Sequence, residues 1–130
     1  MQFFVYDPNW NPETATPPSP ETVAEMGKLE EEAMKAGWLV STGYGNLEEE
    51  ALKAGGLAST GALPPKGTRL QLSDGKFTVT DGPFIELKEL TGGFGVVQAK
   101  SLEEAIEFSK HWQKLIGDGE SMIVPILGLQ

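Results

Sequence analysis

The chain has no cysteine. Disulfide staples, thiolate nucleophiles and thiolate metal ligands are therefore excluded, and stability has to come from packing. Cationic residues are scarce as well: Arg69 is the single arginine, His111 the single histidine, and the formal charge is −9 over 130 residues. Nucleic-acid binding needs clustered Lys and Arg to neutralise phosphates, and an anionic membrane surface makes the same demand. Neither is expected as a partner. Long apolar runs are missing too. Phe3-Phe4-Val5-Tyr6 meets Asp7 and Pro8 before reaching the length of a signal-peptide core or a membrane span. The chain reads as cytoplasmic.

What is present suffices for one core. With 39% hydrophobic residues, 130 residues form a single domain spanning the whole chain. Gln2–Tyr6, aromatic and β-branched, is a first strand. Pro12, Pro17, Pro18 and Pro20 make the following stretch a loop that carries no core. Ser19-Pro20-Glu21 opens a helix, with Ser19 as N-cap, proline at the first helical position and an acid against the dipole. Met26, Leu29, Ala33 and Ala36 share its inner face, and Gly37 stops it.

The chain then repeats itself. Residues 29–43 return as residues 47–61, and only Met34/Leu52, Trp38/Gly56 and Val40/Ala58 differ. The segment is a tandem duplication, too short in number of units for a solenoid. The copies compete for one place in the fold. Trp38 and Val40 bury more apolar area than Gly56 and Ala58, so the first copy is expected in the core. The second is expected outside it, as an extra helix at 47–54 with a weak extended piece, and deleting Tyr44 through Gly61 is expected to leave a folded protein.

Pro64-Pro65 closes the repeat. Thr68–Leu72 and Phe77–Asp81 alternate around Asp74-Gly75, a two-residue hairpin turn. Phe94–Ala99 is a central strand. Ser101 and Glu104 form a capping box for a second helix whose Leu102, Ala105, Ile106, Trp112 and Ile116 face inward. Met122–Leu127 is the last strand, with Pro125 implying an edge or a bulge. The order is α+β, a ferredoxin-like βαββαβ sheet with an added hairpin and the duplicated helical insert. Both helices lie on one face. The other face is left bare and apolar, for which a homodimer packed sheet to sheet is the simplest cover.

The most informative string is Asp81-Gly82-Pro83-Phe84, followed by Glu86, Lys88 and Glu89 and then Gly92-Gly93-Phe94. It combines a backbone-capping acid, a permissive glycine, a locked proline and an aromatic that needs burial. Asp81 fits a turn cap that accepts backbone N–H bonds, or a general base if buried. Glu86, Lys88 and Glu89 fit an exposed ion-paired turn or the polar mouth of a pocket. His111, flanked by Lys110 and Lys114, fits an exposed helix residue or a proton shuttle. The triplets at Glu30–Glu32 and Glu48–Glu50 point in different directions around a helix, so no metal site is expected. Gly92-Gly93 lacks the lysine and spacing of a phosphate loop and the dinucleotide fingerprint, and no cofactor is expected.

With its flanking Ser73-Asp74-Gly75-Lys76 hairpin and Gly-Gly-Phe strand, this string resembles the DGPF branch of the YCII-related proteins. Asp81, Gly82, Pro83, Phe84, Glu86, Lys88 and Glu89 match that pattern, and Ile85 and Leu87 depart from it. The resemblance implies a dimeric α/β-barrel fold. It also implies enzyme activity argued from a histidine–aspartate pair in the YCII branch, on substrates generally unknown, and a regulatory link through relatives encoded beside alternative sigma factors. The functional expectation is a small dimeric module, small-molecule-binding or regulatory, whose cleft holds a small molecule or a partner segment, with Asp81, Pro83, Phe84, Glu86 and Lys88 at the ligand. Two alternatives stand beside it. One is an enzyme on a small metabolite using Asp81, Glu86 or Lys88, with His111 a further candidate. The other is a chain whose ancestral site has been altered by the duplicated insert.

Overall fold

The computed structural model describes residues 1–11, 13–56, 67–82 and 90–126. The elements run β1 (Gln2–Tyr6), α1 (Pro20–Ala36), β2 (Leu39–Asn46), α2 (Leu47–Ala54), β3 (Gly67–Ser73), β4 (Lys76–Gly82), β5 (Thr91–Gln98), α3 (Leu102–Ile116) and β6 (Gly119–Pro125). The strands form one antiparallel sheet in the order β2-β5-β1-β6-β3-β4. Without the β3–β4 hairpin, the order β2-β5-β1-β6 is the ferredoxin-like arrangement. The hairpin extends the sheet beyond β6, and its turn places Asp74 at φ 48° and Gly75 at φ 79°, the left-handed pair that a two-residue turn requires.

Local chemistry explains the helices. The Ser19 side chain accepts from the Thr22 N–H, and Pro20 begins α1. Ser101 accepts from the Glu104 N–H, but the Glu104 carboxylate reaches back to the N–H of Lys100 rather than that of Ser101. Gly37 and Gly55 close α1 and α2 at φ 87° and 124°, each donating to the carbonyls of the equivalent repeat residues, Ala33 and Met34 in one copy and Ala51 and Leu52 in the other. Positive φ is why glycine stands at both stops.

Alternation along β1 sends Phe3 and Val5 to one face of the sheet and Phe4 and Tyr6 to the other. Phe3, Leu39, Leu70, Val97 and Ile123 pack with Ala33 of α1 and Ala105 of α3. Phe4, Tyr6, Val96, Met122 and Val124 pack with Leu47 and Ala51 of α2. Each fully buried Phe, Leu, Ile or Met side chain contributes roughly 1.5–3 kcal/mol.

Several sequence expectations need correction. The second repeat copy does form a helix at 47–54, yet it is not an external appendage: Leu47 is 1% and Ala51 4% exposed. On the sheet face expected to lie bare, α2 packs over β2 and β5, so that part of the face is covered within the chain and needs no second copy there. Leu39 of the first copy is in the core, but Val40 is 48% exposed, because a bulge between Leu39 and Ser41 breaks the alternation. Ala36 and Ile116 are exposed, while Ser109 and Gln113 are buried on the inner face of α3. β6 is a central strand between β1 and β3. Pro125 is its final residue, beyond the Thr68–Ile123 pair that begins the β3 ladder, so the missing N–H costs no bond on that side. The extended piece of the second copy and Pro64-Pro65 lie outside the described residues.

Candidate functional site

A cavity of about 870 Å³ lies between the sheet and the α1–α3 layer, at the end of the sheet where β1 leaves it. Its floor is the helix-facing side of three strands: Val5 of β1, Leu39 and Thr42 of β2, and Gly93, Gly95 and Val97 of β5. Register pairs Thr42 with Gly95 and Tyr44 with Gly93, so these positions share one face.

Neither glycine is demanded by its backbone, since their φ values fall outside the left-handed range. Neither is demanded by crowding: a Cβ at Gly93 would meet only the Gly43 carbonyl oxygen at 3.8 Å, and one at Gly95 only Leu39 Cδ1 at 3.7 Å and the Ser41 carbonyl at 3.9 Å. A glycine inside a strand weakens it. What the two bare positions supply is room.

The walls are aromatic. Trp38 and Phe108 stack with ring centres 4.6 Å apart and planes within 7°, while Trp10 meets Tyr44 edge to face at 5.4 Å. Trp112 of α3 and Met26 of α1 add apolar surface. A polar seam runs down one side. Ser109 donates to the Ala105 carbonyl at 2.8 Å, Gln113 Nε2–H to the Gly117 carbonyl at 2.8 Å, and the Ser121 hydroxyl to Gln113 Oε1. These bonds let Ser109 and Gln113 be buried at little cost.

Asp7 supplies the ionisable group. It follows β1 directly, and its Oδ1 accepts the Asn9 N–H at 2.8 Å. The Asn9 side chain donates in turn to Glu120 Oε2 at 2.9 Å, and Arg69 Nη1 sits 3.3 Å from that same oxygen. Asp7, Asn9, Glu120 and Arg69 thus tie the loop after β1 to β6 and β3. Burial raises the Asp7 carboxyl above its ordinary range; the Asn9 N–H opposes this, the Glu120 charge adds to it, and the Trp10 N–H again opposes it. Beside a concave apolar space, such a group can anchor a polar ligand atom or exchange a proton with it.

A model of the YCII-related domain matches residues 1–126. The chain belongs to that family. No curated protein matches it. Among the described residues of this YCII-related domain, no helix is long and apolar enough to cross a membrane.

The sequence candidates fall elsewhere. Asp81 is exposed on β4, the sheet edge, with β3, β6 and β1 between it and the glycines of β5. His111 is exposed on α3, although its neighbours Ser109, Trp112 and Gln113 line the cavity. Neither Asp81 nor His111 contributes to the lining among the described residues. Pro83, Phe84, Glu86 and Lys88 lie outside the described residues. Sequence reasoning missed Asp7, which it used only to end the first apolar run, and Trp10, to which it gave no role. Two signals were legible. Gly93 and Gly95 alternate within a strand, and a tryptophan sits in a proline-rich loop that would otherwise leave it exposed.

Proposed function

We propose that this YCII-related domain binds a small organic molecule in the cavity between the sheet and the α1–α3 layer, with Asp7 as its polar anchor. The observation that carries the reading is the pair Gly93 and Gly95. Both accept a Cβ without a clash, so their bare surface serves space rather than packing or backbone geometry. The aromatic walls supply dispersion and the carboxylate supplies orientation, the division of labour typical of ligand pockets.

The test is a thermal-shift screen of a metabolite library against the native chain and Gly93→Val. The variant directs a branched side chain into the cavity at a position suited to a strand. Hits on the native protein should vanish with Gly93→Val while its circular dichroism is unchanged. Hits that persist unaltered in the variant would place binding elsewhere.

A second reading, acid–base catalysis on the bound molecule, draws support from the burial that raises the Asp7 carboxyl. It predicts turnover of a bound hit that is lost in Asp7→Asn while binding is only weakened.

A further inference from the structure

We infer that the ligand of this cavity is an organic cation, an amine or quaternary ammonium group carried on an apolar body. The inference rests on the cavity being the binding site and adds the chemical class of what it takes.

Three carboxylates line the space: Asp7 from the loop after β1, Glu30 from α1 and Glu120 from β6. Among the described residues no Lys, Arg or His lines it. Glu120 is paired with Arg69, but Asp7 and Glu30 have no ion pair among the described residues. An anionic ligand would meet like charge at close range and find no counter-ion, which costs heavily in a partly dry site. A neutral apolar ligand would fill the volume yet further desolvate the Asp7 carboxylate without supplying a counter-ion. A cation resolves both problems.

The walls point the same way independently. Trp10, Trp38, Tyr44, Phe108 and Trp112 surround the space, and aromatic faces attract cations through the ring quadrupole, tryptophan most strongly. The whole molecule adds a field of the same sign, because a formal charge of −9 raises the local concentration of cations near a low-dielectric cleft.

The experiment uses three probes with one phenyl body and different heads: phenethylammonium, phenethyl alcohol and phenylacetate. Calorimetric titration of the intact chain gives their affinities. Fluorescence reports occupancy, since Trp10, Trp38 and Trp112 all line the cavity. Phenethylammonium should bind at least about tenfold more tightly than phenethyl alcohol, as a desolvated cation–aromatic contact with a carboxylate partner provides, and phenylacetate most weakly. Asp7→Asn should bring the affinity of the ammonium down towards that of the alcohol. Glu30→Gln, on the helix layer away from the Asn9 and Glu120 bonds, should also weaken the ammonium and serves if Asp7→Asn does not fold. Alcohol or phenylacetate binding as tightly as the ammonium overturns the cation inference and leaves the cavity standing as a site. Failure of all three probes to bind or to alter fluorescence removes the cavity reading as well.

Discussion

Ala33 and Ala51 occupy the same position of the repeated segment and are buried on opposite faces of one sheet, at 1% and 4% exposure. The reason lies just before each copy. Leu29 continues a helix already under way from Pro20, whereas Leu47 follows Asn46, whose side chain accepts the Glu49 N–H and starts a new helix directly at the end of β2. One sequence thus serves as the second half of a long helix and as the whole of a short one. The residue at the equivalent of Asn46 is Lys28, which cannot cap.

Leu47 is fully buried with Phe4, Val96 and Met122, while its counterpart Leu29 is only half-buried. Leu47→Ala should therefore cost about 2–5 kcal/mol in urea unfolding, and Leu29→Ala clearly less. Deleting Tyr44–Gly61 would uncover the same cluster, so it should lower the unfolding midpoint markedly. A deletion variant as stable as the parent would show α2 to be dispensable.

Asn46→Ala should cost about 1 kcal/mol through the lost cap. Faster amide exchange confined to α2 is the matching readout, and Asn46→Asp should restore protection because an aspartate caps equally well.

Asp7 should make stability fall as pH rises. Its folded-state carboxyl is raised by burial, so the protonated form is the one that folding favours. That contribution is complete below the ordinary carboxylate range and is lost as pH climbs through the raised value. Asp7→Asn, which keeps an oxygen for the Asn9 N–H, should therefore raise the melting midpoint at neutral pH and leave it unchanged in acid. Equal effects at both pH values would count against burial of the charge as the cause.

Tyr6 should be an inexpensive tyrosine to lose. Its hydroxyl is buried with no hydrogen-bond partner among the described residues, and burial pushes its pKa up to about 12, with Arg69 opposing the rise. Removing an unpartnered buried hydroxyl relieves a desolvation cost. Tyr6→Phe should then be neutral or stabilising in thermal unfolding, and a loss of 1 kcal/mol or more, roughly what a made bond is worth, would reveal a partner.

The sequence alone determined the local elements. Gln2–Tyr6, the Ser19-Pro20 start, the Gly37 stop, the Asp74-Gly75 turn, the Ser101 cap and the 47–54 helix all stand as expected, because caps, turns and alternation act over a few neighbouring residues. Even the ferredoxin-like order followed from the succession of strands and helices. Tertiary structure alone decided which face each element covers and where the chemistry gathers. Nothing local says which sheet face Ala33 or Ala51 will cover, joins Asp7 to Glu120 through Asn9, or gathers Gly93, Gly95 and Trp112 around one cavity. Those relationships arise from strand order and register, which depend on contacts between residues far apart in the chain. Among the described residues of the pattern that drew most attention, Gly93 and Phe94 line the candidate cavity and Asp81 does not, because the cavity forms where β1, β2, β5 and β6 meet the helices.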